Sequence, residues 1–128
     1  MAFHLLAFLF LSSLYLPSLT ESKLNTNYYQ KTCPKFPEIV RQIVQDKQLA
    51  TPSTAAATVR LFFHDCMVEG CDASILIASN TFNKAERDAE INQQLSGDGF
   101  DVITRAKTAL ELECPGIVSC ADVLATAA

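Results

Sequence analysis

Histidine is scarce in this chain: two occur in 128 residues, His4 and His64. Any imidazole chemistry outside the extreme N-terminus therefore rests on His64. Ten Lys and Arg stand against fourteen Asp and Glu, for a net charge of −4, and the basic residues form no cluster. That excludes a nucleic-acid partner, which needs a concentrated basic face. No internal repeat, low-complexity tract or linker divides the sequence, and this length holds at most one domain. A long apolar run is missing too. The stretch Leu5 to Leu11, continuing to Leu19, is interrupted by Ser12-Ser13 and Pro17 and is short for a bilayer, which takes about 20 residues. Followed by Thr20-Glu21-Ser22, it reads as a secretory signal peptide over residues 1–22, leaving 23–128 with no membrane segment. No Asn-x-Ser/Thr sequon is present, since Asn25-Thr26-Asn27 and Asn80-Thr81-Phe82 both fail the pattern, so no N-glycan is expected.

The five cysteines, at 33, 66, 71, 114 and 120, all follow the leader. In an exported chain they read as a disulfide framework, and an odd count leaves one thiol without a partner. Between them the pattern is all-α. Phe36, Ile39, Val40, Ile43 and Val44 recur at helical spacing, with Pro37 and Glu38 suited to a first turn, predicting a helix over 37–49. Thr51-Pro52-Ser53 breaks it and opens a second, mostly apolar helix. Gly97-Asp98-Gly99 is a predicted turn. Phe100, Ile103, Ala106, Lys107 and Leu110 then mark a third helix, which Cys114-Pro115-Gly116 ends. Ser119 and Asp122 have capping spacing for a fourth, starting near Ala121. That helix carries no stop signal before Ala128, so the chain reads as cut inside an apolar core helix.

The chemistry concentrates in residues 60–74. Arg60 and His64 stand four positions apart on the second helix, which puts a guanidinium and an imidazole on one face with Phe63 beside them. Asp65, Asp72 and Ser74 follow with oxygen side chains, and the loop from Val68 to Gly70 offers backbone carbonyls, a donor set that suits calcium. Cys66 and Cys71 bracket the loop at a spacing a disulfide can close. Two blander readings compete: a solvated face carrying Arg60 and His64, or His64, Cys66 and Cys71 as zinc ligands, with His64 and Cys66 as a thiol pair.

The ordered run Arg60-x-x-Phe63-His64-Asp65-Cys66-x-Val68-x-Gly70-Cys71-Asp72-Ala73-Ser74 resembles the distal haem-side signature of the secreted plant (class III) haem peroxidases. The resemblance extends over the whole of 23–128. It implies an all-α fold, the N-terminal, distal-side helices of the plant haem peroxidase fold, truncated, so that 23–128 is a partial domain. It implies Cys33 paired with Cys114, Cys66 with Cys71, and Cys120 unpaired in this chain. It also assigns Glu86 and Asn92: the asparagine accepts a hydrogen bond from His64, and the glutamate links the calcium loop back to the asparagine region.

As the resemblance has it, haem b and one distal calcium are the cofactors, hydrogen peroxide and phenolic small molecules the partners, and the protein is a secreted monomer of medium, cell wall or vacuole. His64 is then proton acceptor and donor, Arg60 the stabiliser of developing negative charge, Asn92 the residue that orients His64, and Phe63 a pocket wall. Asp65, Val68, Gly70, Asp72 and Ser74 hold the metal, with Glu86 indirect. Two positions depart from the pattern: Met67 stands where Phe is usual, and Glu69 where Asn is common. No proximal histidine is present, since the only other one is His4, so the chain alone is expected to be inactive. The alternative from another class is a non-enzymatic secreted calcium-binding module stapled by two disulfides.

Overall fold

The computed structural model describes residues 25–95 and 98–128. The predicted signal peptide over 1–22 lies outside these residues, as does Gly97 of the predicted turn. Among the described residues there are five helices and no strand: α1 (Phe36–Ala50), α2 (Thr54–Cys66), α3 (Glu90–Gln93), α4 (Gly99–Glu113) and α5 (Cys120–Ala127). Short 3-10 turns lie at Ser74–Leu76 and Glu86–Asp88. The four helices read from periodicity are all present, each within about two residues of its expected ends.

α4 is the central element. Gly99, Val102, Ile103, Ala106 and Leu110 bury a continuous stripe of it, and α1, α2 and α5 pack around that stripe. From α1 come Phe36 and Val40, from α5 Val123 and Leu124, and from α2 Leu61, all in one core. α1 starts on Pro37, whose missing N–H costs nothing in a first turn, with Glu38 near its positive end and Lys47 near its negative end. α5 starts on Ser119, whose hydroxyl oxygen accepts from the Asp122 N–H at 3.0 Å, the expected cap. Its register is tied to the N-terminal segment by Tyr29, whose hydroxyl donates to the Asp122 carboxylate. Burial first, and then Asp122, push that phenol above its ordinary pKa.

The buried stripe of α2 is less apolar than its composition predicts: Thr54, Ala57, Thr58, Leu61 and Asp65 are its buried residues. Thr58 solves its own burial by donating from Oγ1 to the Thr54 carbonyl at 2.9 Å. The opposite strip, Val59, Phe63 and Met67, is left open at 52%, 59% and 60% exposure. Both disulfides are formed, Cys33–Cys114 and Cys66–Cys71, and Cys120 is free. They close 81 and 5 residues, which the chain-entropy relation values at about 4–5 and about 2 kcal/mol. The zinc and thiol-pair readings fall with the second bond, because disulfide sulfurs supply no thiolate.

Candidate functional site

α2 is held on α4 by a close approach at Gly99, where a side chain would be tight. A methyl added at Gly99 would lie 3.1 Å from Ala57 Cβ and from Leu61 Cδ1, and 3.2 Å from the Ala57 carbonyl carbon. This contact fixes the height of α2, and with it Arg60 and His64, over the core. Both are half-buried on the flank of the open strip. The Phe63 ring stands edge-on to the His64 ring, with centroids 6.0 Å apart.

Across from them runs the segment from Glu86 to Asn92. The Arg60 Nη2 donates to the Ile91 carbonyl at 3.1 Å. His64 Nδ1 lies 3.4 Å from the Glu86 carboxylate. Asn92, 4% exposed, donates from Nδ2 to the Glu86 carbonyl at 2.9 Å. Among the described residues no hydrogen bond joins His64 to Asn92. The carboxylate of Glu86 stands nearer the ring than the amide expected there, because Asn92 is turned back onto the start of its own segment. A carboxylate facing Nδ1 favours a proton on that nitrogen.

Beyond α2 the chain turns through a loop that needs left-handed backbone at three positions, with φ of 61° at Glu69, 113° at Gly70 and 64° at Ala73. Asp65 is 2% exposed, and its Oδ1 is buried without a hydrogen-bond partner. Its Oδ2 lies 3.9 Å from Cys66 Sγ, which carries no proton in a disulfide. Asp72 accepts from the Ser74 N–H at 2.9 Å. The Ser74 hydroxyl and then this N–H hold the Asp72 carboxyl below its usual range, with Asp65 close enough to contribute. Asp65, Asp72 and Ser74 are thus brought together, with Val68 and Gly70 in the bend between. Among the described residues no cluster of three His, Cys, Asp or Glu forms a metal centre, so any cation here must draw on hydroxyl and carbonyl oxygens as well.

Two cavities lie elsewhere. One of about 490 Å³ sits between Ile43 and Leu112, and one of about 810 Å³ beside Tyr28 and Asp122. No helix among the described residues is long and apolar enough to cross a membrane.

Comparison with known proteins gives the family. The family model described as Peroxidase matches residues 40–128, and the chain belongs to the peroxidase family. Its relatives are plant enzymes of Arabidopsis thaliana. It is 67% identical to Peroxidase 65 over 104 residues, covering 81% of this chain and 31% of that protein. It is 60% identical to Peroxidase 41 over 122 residues, covering 93% and 37%, and 59% identical to Peroxidase 6 over 123 residues, covering 96% and 37%. The chain spans about a third of the length of the curated relatives it matches.

Sequence reasoning missed two features. Arg87 reads as a surface residue, yet it is half-buried, with its guanidinium carbon 4.8 Å from the Phe100 ring centroid and Nη1 donating to the Leu76 carbonyl at 3.3 Å. The contact between Arg60 and the Ile91 carbonyl left no mark in the sequence at all, because any residue supplies a carbonyl.

Proposed function

We propose that this chain furnishes the peroxide-handling face of a haem peroxidase, together with a calcium loop that steadies it. The observation that carries the reading is the pairing of Arg60 and His64 on one flank of an exposed apolar strip, each held by the segment opposite. A flat, apolar-bodied group bearing carboxylates suits that surface: Val59, Phe63 and Met67 offer it an apolar bed, and Arg60 a fixed charge. Phe63 and Arg60 would hold haem against this strip. When bound, haem supplies the redox iron that reduces the peroxide and oxidises a phenolic donor.

The residues of this chain manage the proton and the charge. In its neutral form His64 takes the proton from the oxygen of the incoming peroxide that will stay, then delivers it to the oxygen that departs, so that water leaves rather than hydroxide. Arg60 offers a permanent cation where the departing oxygen becomes negative, and its anchor on the Ile91 carbonyl means little reorganisation is needed at that moment. Glu86 sets the tautomer of His64. Asn92 keeps its Oδ1 free, a neutral acceptor for the same ring once the side chain turns.

The orphaned Oδ1 of Asp65 supports the calcium loop. A buried carboxylate oxygen without a partner is costly, and a hard cation shared with Asp72, Ser74 and the Val68 and Gly70 carbonyls relieves it. Asp65, which would hold the metal, is covalently next to His64, so occupancy steadies the imidazole. The reading places the protein in an oxidising, exported setting, consistent with two disulfides.

The test is peroxide consumption by haem-loaded protein containing this sequence. His64→Leu is expected to slow the peroxide step by roughly 10²–10⁴-fold, and Arg60→Leu by roughly 10²–10³-fold, with the donor step little changed. An unaltered peroxide rate in His64→Leu would sink the assignment. Calcium uptake without any haem binding would favour the non-enzymatic module instead.

A further inference from the structure

The segment that braces Arg60 and His64 has little stiffness of its own. Between Glu86 and Gln93 it consists of one 3-10 turn and a four-residue helix, too short to hold its shape unaided. Contacts that reach outside it must fix where the Ile91 carbonyl and the Glu86 carboxylate stand. Arg87 is built to do so. Its guanidinium lies over the face of Phe100 at 4.8 Å, on the first turn of α4, one residue from the Gly99 contact that seats α2. Its Nη1 donates to the Leu76 carbonyl at 3.3 Å, in the 3-10 turn that follows Asp72 and Ser74. One half-buried cation therefore ties the brace to α4 and to the oxygen-rich loop together. Its neighbour Asp88 does a different job: it accepts from the Ser79 N–H at 2.9 Å and holds the outer loop.

We infer that Arg87 is a positioning residue for Arg60 and His64, acting through the Glu86–Asn92 segment and resting on the functional reading above. A guanidinium stacked on an aromatic face and bonded to a part-buried carbonyl is strongly directional. Without it the segment loses its side-chain ties to α4 and to the Leu76 turn, so Arg60 and its anchor drift together.

The full chain, with both disulfides formed, contains four arginines, at 41, 60, 87 and 105, so the Arg60 Nε–H resonance in a ¹⁵N spectrum is assigned by Arg60→Lys. In Arg87→Ala this resonance is expected to lose its order and behave as a freely solvated guanidinium. Arg41 and Arg105, bonded to Glu38 and Asp101 on their own helices, should be unchanged. Arg87→Lys, which keeps a cation over Phe100 and a donor toward Leu76, is expected to restore most of the order. Unchanged Arg60 order in Arg87→Ala would overturn the inference. So would equal loosening of Arg41, Arg60 and Arg105, the mark of a general stability role. Should Arg87→Ala fail to fold, Phe100→Leu removes the ring face while keeping apolar volume, and undiminished Arg60 order there would overturn it equally. None of these readouts uses haem, so a peroxidase reading that fails on His64→Leu would leave the coupling between Arg87 and Arg60 separately measurable.

Discussion

Replacing Gly99 with alanine pits two effects of known size against each other. Alanine is the better helix former by about 0.8–1 kcal/mol in a helix interior, although less is gained at the first helical residue. Against that, the new methyl would meet Ala57 Cβ and Leu61 Cδ1 at 3.1 Å and the Ala57 carbonyl carbon at 3.2 Å. The leucine can turn away, but the backbone carbon of α2 cannot. Overpacking of this kind costs about 1–3 kcal/mol, so Gly99→Ala should come out destabilised by roughly 1–2 kcal/mol. At the slopes usual for small proteins that is a fall of roughly 1 M in the urea midpoint with the slope unchanged. The decisive comparison is the same substitution in an Ala57→Gly background, where one of the clashing atoms is gone. The cost there should shrink by roughly 1 kcal/mol, a coupling expected only of residues in contact. Were Gly99→Ala as stable as the parent, or its cost identical in both backgrounds, the account of how α2 is seated would be wrong.

Two further outcomes follow from the geometry. Glu69 holds a φ of 61° on an exposed loop, a conformation asparagine tolerates better, so Glu69→Asn should raise the urea midpoint by an amount equivalent to roughly 0.5–1 kcal/mol; a lowered midpoint would show that the Glu69 carboxylate is engaged. Asp101 is hydrogen-bonded first by Lys47 and then by Arg105, which holds its carboxyl below the ordinary value of 3.8. A depressed folded pKa means the unfolded chain takes up the proton first. The stabilisation is therefore complete above about pH 3.8 and is lost as the pH falls through the lower folded value. Asp101→Asn should flatten the acid limb of stability against pH in that window, and an unchanged slope would refute the pairing.

Much of the fold was legible because its helices bury regular stripes. Phe36 and Val40, or Val102, Ile103, Ala106 and Leu110, announce their faces by spacing alone. Arg60, His64 and the Asp65 to Ser74 loop were legible for another reason: an unusual run of chemically loaded residues in fixed order. What could not be read was the ordering imposed from outside a segment. Glu86 to Asn92 has no apolar period, and its position depends on Arg87 reaching Phe100 and on the Ile91 carbonyl meeting Arg60, contacts that exist only once α2 and α4 are packed. The same limit hid the burial of Thr54, Thr58 and Asp65, polar residues that share a stripe with Ala57 and Leu61. It also hid the turn of Asn92 toward Glu86, decided by a backbone carbonyl rather than by a residue type.

The bond between Cys33 and Cys114 has a mechanical consequence. It makes a covalent ring of α1 through α4, to which α5 and the residues before Cys33 are joined only as tails in the covalent sense. Tension applied between the two ends stretches only those tails, and the 81-residue separation adds nothing to the contour length while the bond lasts. Cutting it would release a step of up to roughly 270–290 Å. The helix that carries Arg60 and His64 is thereby shielded from force transmitted along the chain, whichever end is held.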